Sequence, residues 1–330
     1  MAELMDRLSD SLLLEILERV ADVNSLGRLK AVSKRMQQLV QQVSVVVVKV
    51  DSVVAGEESS LSARERILTH FVQFVVGRIV RPLHALQHLL GREKRIVAEV
   101  SRHTPLEVLR NFRAVQSLRI VLPRGDVIEN GVLLRWKAEF GSSLESCVML
   151  GADSVINAGI QKSEHTKSVP LDNGRIPESF YGGDMKLRVI WTISCFFAAS
   201  QRHTLLQEIL LDHPTLEHVM VLDADGQGTM CMDRDQLLDF QAKAAGVVSP
   251  ILSRGQVPLL NIKLWYAPVL DLPGGIRLKG ASLIAIRPSN QPVGKQVEAY
   301  VSDAFEEPYT TAASSLIRRH PPLKHELLLG

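Results

Sequence analysis

Two aspartates in the second half of the chain have the spacing of a catalytic pair. Asp223 and Asp225 follow an apolar run in V-M-V-L-D-A-D-G-Q-G-T. A strand that ends in D-x-D can present one carboxylate as the nucleophile of an aspartyl-phosphate phosphatase and the next as its acid or base. The expected Thr or Val is replaced by Gln227, however, and no later G-D-x-x-x-D follows to hold magnesium. We therefore favour a tight turn, in which Gly226 and Gly228 supply positive φ angles.

Histidine and cysteine side chains do not form a recognisable metal site. The candidates are His203, His213, His218, Cys195 and Cys231. No pair has the two-to-four-residue spacing typical of structural zinc, and neither G-x-S-x-G nor G-x-x-x-x-G-K-[ST] occurs. The sequence therefore predicts no metal and no cofactor. The 3 cysteines are far apart without C-x-x-C, which favours a reducing compartment.

Length and composition narrow the class of protein. With 330 residues, of which 46% are hydrophobic and 22% charged, the chain can form one or two well-buried domains. A net charge of +2 implies no nucleic-acid partner. The longest apolar run, residues 187–199, contains Arg188 and is shorter than the ~20 residues that span a bilayer. No basic-then-apolar leader precedes the first helix, so we expect a soluble protein of the cytoplasm, the nucleus or both, with no membrane partner.

The body of the chain contains a recurring apolar pattern that predicts strands. A large apolar residue followed by others at +3 and +5 occurs at Val115, Leu118 and Ile120; Leu144, Cys147 and Met149; Leu216, Val219 and Val221; and Leu259, Ile262 and Leu264. Helical patterns precede these cores at residues 106–112, 132–140, 205–211 and 237–245. Helix-then-strand units are typical of leucine-rich repeats, but the irregular spacing leaves open a plain α/β body with buried strands.

Other segments have simpler predictions. Residues 45–50 form a β-branched strand, residues 55–60 a polar loop, and helices follow from Ser62 and over residues 82–91. Residues 152–184 are polar and predict a long mobile loop. Residues 186–211 predict a long, mostly buried helix. Its inner stripe is expected at Trp191, Cys195, Phe196 and Ala199.

The N-terminal 50 residues predict a small helical docking module. The first helix starts after Ser9 and carries apolar residues at Leu12, Leu13, Ile16, Leu17 and Val20. A second helix begins near Leu26, and a third contains Met36 behind the basic pair Lys34 and Arg35. Three short helices cannot bury so many leucines alone. We therefore expect this segment to bind a partner.

The order L-S-D-S-L-L-L-E-I-L, then A-V-S-K-R-M, resembles an F-box. An F-box is the segment by which substrate receptors bind the Skp-type adaptor of a cullin RING ubiquitin ligase. The resemblance implies adaptor contacts from Leu8, Ser9, Leu12, Leu13, Ile16, Leu17, Val32, Ser33, Lys34 and Arg35. Ser9 stands where that family most often has proline, and Met36 where it has an aromatic residue.

Further blocks extend the resemblance across most of the chain. They are W-K-A-E-F-G at 136–141, R-V-I-W-T-I-S-C-F-F-A-A-S-Q-R-H at 188–203, D-A-D-G-Q-G-T-M at 223–230, L-W-Y-A-P at 264–268 and G-A-S-L-I-A-I-R-P at 280–288. Together they are similar to plant F-box proteins of the auxin up-regulated type. The resemblance implies a non-catalytic substrate receptor that reaches cullin and RING subunits through the adaptor, recruits an unidentified protein target and acts in hormone response.

The expected fold is α+β, with an F-box over residues 1–50 and an α/β body over residues 51–330. A degenerate leucine-rich-repeat-like array is one form that the body could take. Two alternative functions stay open: a scaffold whose F-box-like helices serve only its own core, and the phosphatase with Asp223 as nucleophile.

Overall fold

A computed structural model describes residues 8–50, 109, 112–123, 131–157, 180–244, 259–289, 297–319 and 321–328. The chain forms two compact units. The first contains Met1–Gly125, Ser200–Gly226 and Met230–Val248, and the second contains Asp126–Ala199, Gln227–Thr229 and Ser249–Gly330. The predicted boundary after residue 50 stays a prediction, because residues 51–108 lie outside the described part.

Helices and strands are both abundant, as the predicted α+β class requires. The helices are α1 (Asp10–Val20), α2 (Val23–Lys30), α3 (Lys34–Val40), α4 (Met185–Asp212), α5 (Arg234–Ala244), α6 (Val297–Ser302) and α7 (Tyr309–Arg319). The strands are β1 (Val45–Lys49), β2 (Ser117–Leu122), β3 (Leu133–Phe140), β4 (Leu144–Ala152), β5 (Ser154–Asn157), β6 (His218–Asp223), β7 (Gly228–Met232), β8 (Leu259–Leu272), β9 (Ile276–Pro288) and β10 (Leu323–Leu328).

The three predicted N-terminal helices and the strand after them are confirmed. Helix α2 begins at Val23, earlier than the Leu26 expected, because Asp22 caps it by accepting hydrogen bonds from the N–H and hydroxyl of Ser25. The main chain of the module is joined to β1 by a hydrogen bond of 2.8 Å from the Val47 N–H to the Ala21 carbonyl. The N-terminal helices are therefore tied directly to the first strand of their unit.

Parallel strands form the sheet of the first unit. Strand β1 pairs with β2 and β2 with β6, both in parallel. Val46, Leu118 and Val219 lie side by side in this register, and all three are buried. The first and third apolar cores predicted from the sequence are thus neighbouring parallel strands, as in a repeat array.

The second unit has an antiparallel sheet instead. Its strands follow the order β3-β4-β9-β8-β10, with β5 paired to β9. Strands β4 and β8, which carry the second and fourth apolar cores, both pair antiparallel with β9. The four cores therefore do not form a single repeat array, and the alternative of an α/β body with buried strands describes this unit better.

One predicted helix, residues 132–140, is wrong. It is β3, in which Leu134, Trp136, Ala138 and Phe140 are buried at alternate positions. This period of two is the signature of a strand with one buried face. The helix predicted over residues 205–211 is confirmed as part of α4, and the one over 237–245 as part of α5 up to Ala244. The helix predicted over residues 106–112 lies outside the described part except for positions 109 and 112.

The loop predicted over residues 152–184 is wrong at its two described ends, which form regular structure. Ser154–Asn157 form β5, and Phe180–Asp184 form one turn of π-type helix that leads into α4. Residues 158–179 lie outside the described part, as do the predicted loop at 55–60 and the helices from Ser62 and over 82–91.

Helix α4 is confirmed over its full predicted length and extends one residue further at each end, but it is not buried on all sides. Trp191, Cys195 and Ala199 are buried on its inner side as expected. Phe196, also predicted there, is only half-buried, and Ile193 and Phe197 are exposed. Within the part of the chain that the structure describes, no helix combines the length and the apolar content needed to cross a bilayer.

Two buried ionisable side chains in the second unit make the free energy of unfolding decrease at alkaline pH. Burial raises the pKa of the Cys147 thiol from 9.0 to about 12. Burial, and next the nearby Asp184 carboxylate, raises the pKa of Tyr266 from 10.0 to about 12. Both groups hold their protons more tightly when folded, so their contribution is complete below about pH 9 and is lost as pH rises toward 12.

We expect the free energy of unfolding, measured in urea, to fall between about pH 8.5 and about pH 10.5. The slope should be smaller in Cys147→Ala, because that variant removes one of the two groups. Cys231→Ala, at a less buried cysteine, serves as the matched control. An unfolding free energy that stays level across this range in the parent protein would contradict the expectation.

Candidate functional site

Helix α1 carries two apolar stripes on different sides. Leu13 and Leu17 are each 2% exposed and pack inside the module. Leu12, Ile16 and Val20 are 49%, 45% and 40% exposed. These three residues are spaced by four positions and therefore lie on one face of the helix. We call them the α1 stripe.

An apolar side chain outside α1 adds to the exposed surface of the module. Val32, in the turn between α2 and α3, is 71% exposed. The next residue, Ser33, caps α3 by accepting a hydrogen bond of 3.1 Å from the Met36 N–H. Lys34 is exposed. Val32 and Lys34 are thus accessible, whereas Ser33 has a structural role at the start of α3.

Arg35 joins the beginnings of α3 and α1. Its Nε donates to Asp10 Oδ1 at 2.8 Å, and its Nη2 donates to the Leu8 carbonyl at 2.6 Å. A planar guanidinium can hold both acceptors at once. Of the residues predicted to contact a partner, Arg35 and Leu8 therefore also position the helix that carries the α1 stripe.

The two departures from the F-box pattern have local explanations. Ser9 has φ −67° and ψ 154° and accepts a hydrogen bond of 3.4 Å from the Leu12 N–H. Because proline fixes φ near −65°, serine already places the main chain where proline would hold it, and it adds a helix cap. Met36 is 6% exposed and fills space inside the module. Neither residue removes a side chain from the α1 stripe.

Polar groups border the α1 stripe. Arg19 forms an ion pair of 2.8 Å with Glu15, one turn away on the same helix. Both side chains are well exposed, so the pair contributes little to folding stability. An apolar centre with a polar margin is the usual anatomy of a protein-binding surface.

Asp223 and Asp225, the pair considered as phosphatase residues, lie at the end of β6 and in the turn after it. Asp223 is buried at the end of β6, and its Oδ1 accepts a hydrogen bond of 2.6 Å from Arg202 Nη2. The predicted tight turn is confirmed at Gly226, whose N–H donates to the Asp223 carbonyl and whose φ is +68°. The positive φ predicted for Gly228 is wrong, because Gly228 is the first residue of β7. The Asp223 carboxylate thus faces a buried guanidinium, while Asp225 is half-buried.

Two of the histidine and cysteine residues considered as metal ligands, His203 and Cys195, have structural surroundings instead. The buried His203 ring lies edge-on to Phe240, with 5.9 Å between the ring centroids. Cys195 is buried on the inner side of α4. Among the described residues, no group of three or more His, Cys, Asp or Glu side chains could hold a metal ion.

Comparison with known proteins identifies the family of the chain. No protein-family model matches the chain, and no solved structure matches it. F-box protein At5g46170 of Arabidopsis thaliana is 43% identical, covering 95% of this chain and 91% of that protein. F-box protein AUF1 of the same plant is 30% identical, covering 95% of this chain and 96% of that protein. The chain belongs to the family of plant F-box proteins that includes these relatives.

Proposed function

We propose that the chain is the substrate-receptor subunit of an SCF-type E3 ubiquitin ligase, in which the F-box binds a Skp-type adaptor. The observation that carries the proposal is the α1 stripe, because three large apolar side chains are presented to solvent by a helix whose inner side is already packed. The family membership supports the same role over nearly the whole chain.

Within this proposal, the residues predicted to bind the adaptor would have different roles. Direct apolar contact comes from Leu12, Ile16 and Val32, and Val20 joins them although the sequence pattern did not single it out as a contact. Leu13 and Leu17 support the module from inside. Leu8, Ser9, Ser33 and Arg35 fix the starts of α1 and α3, and Lys34 lies exposed beside them.

Docking gains free energy mainly from apolar burial. Each large side chain that becomes fully buried contributes roughly 1.5–3 kcal/mol before the costs of ordering are subtracted. The remainder of the chain would hold a target protein, so that a ubiquitin-loaded enzyme recruited through the cullin and RING subunits can reach its lysines. Ubiquitin transfer then depends on proximity, and the chain needs no catalytic group of its own.

The scaffold alternative predicts a different burial of the side chains of α1. Helices that served only their own core would bury Leu12 and Ile16, whereas both side chains are nearly half exposed. We therefore favour the receptor role, in the cytoplasm or nucleus. The resemblance to the auxin up-regulated type leads us to place it in plant hormone response.

Co-purification from plant cells tests the proposal. The tagged parent chain is expected to bring down a Skp-type adaptor together with cullin and RING subunits. Leu12→Ala combined with Ile16→Ala should reduce adaptor recovery by about tenfold or more, because the centre of the α1 stripe is lost. Far-UV circular dichroism and the thermal midpoint should stay unchanged, since both side chains are exposed.

Leu211→Ala combined with Leu238→Ala is the matched control, because these leucines are also exposed but lie on α4 and α5. This control should retain the adaptor. Undiminished adaptor recovery with the Leu12 and Ile16 variant would overturn the proposal. Unfolding of that variant would instead support the scaffold.

A further inference from the structure

A second exposed apolar stripe lies on the outer side of α4. Val189, Ile193 and Phe197 are spaced by four residues and therefore share one face. All three are exposed, and Ile193 reaches 62%. We call them the α4 stripe. It lies on the side of α4 that does not bear the buried Trp191.

Exposed apolar side chains of the second unit are concentrated here. Among the described residues of that unit, every large hydrophobic side chain that is strongly exposed lies between positions 181 and 197. Tyr181 and Leu187 complete the set. Single exposed apolar residues scattered over a surface need no explanation, but a cluster of them marks an interaction site.

Buried contacts fix the orientation of α4. Arg188 is 1% exposed, and its Nη2 lies 2.7 Å from Asp153 Oδ1 and donates to the Gly280 carbonyl at 2.6 Å. Its guanidinium also lies 4.9 Å from the Trp191 ring centroid. A rotation that turned the α4 stripe inward would break these contacts and leave a buried charge unpaired. The stripe is therefore held outward by the fold.

The start of the helix is anchored as well. The Tyr266 hydroxyl donates to Asp184 Oδ2 at 3.2 Å, and the Phe180 ring lies 4.4 Å from the Tyr266 ring. A surface that is rigid before binding loses less entropy when a partner docks. The α4 stripe meets this requirement.

Charge narrows the chemistry of the partner. Lys186 is exposed, whereas the other charged residues among the described positions from 181 to 199 are less accessible, because Arg188 is buried and Asp184 is half-buried. A complementary segment would present apolar side chains along the stripe and a carboxylate near Lys186.

A second copy of this chain fits the surface less well. A standard protein interface buries about 800 Å² on each partner, whereas the three partly exposed side chains of the α4 stripe offer on the order of a few hundred Å². A short segment that lays apolar residues along a helix needs no larger area.

We propose that the α4 stripe is the docking surface for the ubiquitination target. It takes a target segment with apolar side chains at helical spacing and an acidic residue at one end. This inference rests on the proposed function and names the class of substrate that the receptor recognises.

The test uses the full-length chain and a display library of segments, each about 40 residues long, that are tiled over plant proteins. Segments that bind the parent chain are selected, and single peptides are then titrated by fluorescence anisotropy. Ile193→Asp should weaken binding by about tenfold or more, because a carboxylate would be buried in the apolar contact. Lys186→Glu should lower the affinity of peptides that carry the predicted acidic residue.

Controls separate the outcomes. Leu238→Asp, at an exposed leucine of the first unit, should leave peptide affinity unchanged. Ile193→Ser, a second variant with an uncharged side chain, should also weaken binding. Because the titration contains no adaptor, failure of adaptor docking would not affect it, and Ile193→Asp should still co-purify with the adaptor.

Two results would overturn the inference. One is a selection whose peptides bind the parent chain and Ile193→Asp equally well. The other is a parent chain that sediments as a dimer and becomes monomeric in Ile193→Asp, which would assign the α4 stripe to self-association.

Discussion

Aspartate in place of Ile16 is expected to abolish adaptor binding and leave the free energy of unfolding nearly unchanged. Alanine in place of Leu17 is expected to lower the free energy of unfolding, while the folded variant still binds the adaptor. The two residues are neighbours in sequence, but Ile16 belongs to the α1 stripe and Leu17 is 2% exposed. A new surface charge usually changes the free energy of unfolding by about 0.5 kcal/mol or less. The same carboxylate, buried unpaired in an adaptor interface, should lower affinity by about a hundredfold.

Leu17→Ala acts through the core of the module. Truncating a buried leucine to alanine costs about 2–5 kcal/mol, depending on how far its surroundings can collapse. Urea unfolding of both variants, with adaptor titration at a temperature where each is folded, separates the two effects. If Ile16→Asp lowered stability by more than Leu17→Ala, the assignment of inner and outer faces to α1 would be wrong.

The second large effect is expected for Gly280→Ala in β9. Gly280 has φ +59°, and a Cβ there would overlap Asp153 Oδ2 and lie 2.8 Å from Arg188 Nη2. A left-handed conformation costs an alanine roughly 1–2 kcal/mol. Displacing the ion pair of a buried arginine adds about 3 kcal/mol more. The variant should therefore lose roughly 4 kcal/mol of stability or fail to fold at ordinary temperature.

Gly274→Ala provides the matched control. Gly274 also has a positive φ, of +80°, but nothing lies within 4 Å of a Cβ built on it. Only the conformational cost of roughly 1–2 kcal/mol applies. Thermal and urea unfolding of the two variants should differ by several kcal/mol at the same temperature, and equal losses would show that the Asp153–Arg188 contact does not stabilise the second unit.

Local features of the first helices could be predicted from the sequence because their causes are local. Ser9 caps α1 by accepting a hydrogen bond from a nearby N–H, and the apolar residues of α1 recur at helical spacing. The caps at Asp22 and Ser33 are equally local, but they were not predicted from the sequence. The division of that apolar side into Leu12 and Ile16 outside and Leu13 and Leu17 inside could not be predicted. It depends on how α2 and α3 pack, which no local pattern specifies.

In the body of the chain, the pairing of strands that are distant in sequence could not be predicted. The sequence predicted strands at all four apolar cores, but it could not show that β2 and β6 pair in parallel while β4 and β8 pair antiparallel with β9. Short apolar runs look alike in both arrangements.

Arg188 shows the same limit at a single residue. In the sequence it interrupts an apolar run, which gives no sign of a partner. In the structure it contacts Asp153 and Gly280, which are distant in the chain. The outward orientation of the α4 stripe follows from these contacts, so the sequence alone led to the prediction of a helix buried on most sides.

Titration calorimetry of the Skp-type adaptor into the full-length chain tests the central claim most directly. The proposed docking predicts saturable binding with a negative heat-capacity change, because apolar side chains leave water. It also predicts that the heat of binding disappears in Ile16→Asp, while circular dichroism shows that the variant is folded. No binding by the folded parent chain, or equal binding by parent and variant, would contradict the claim that the α1 stripe is an adaptor-docking surface.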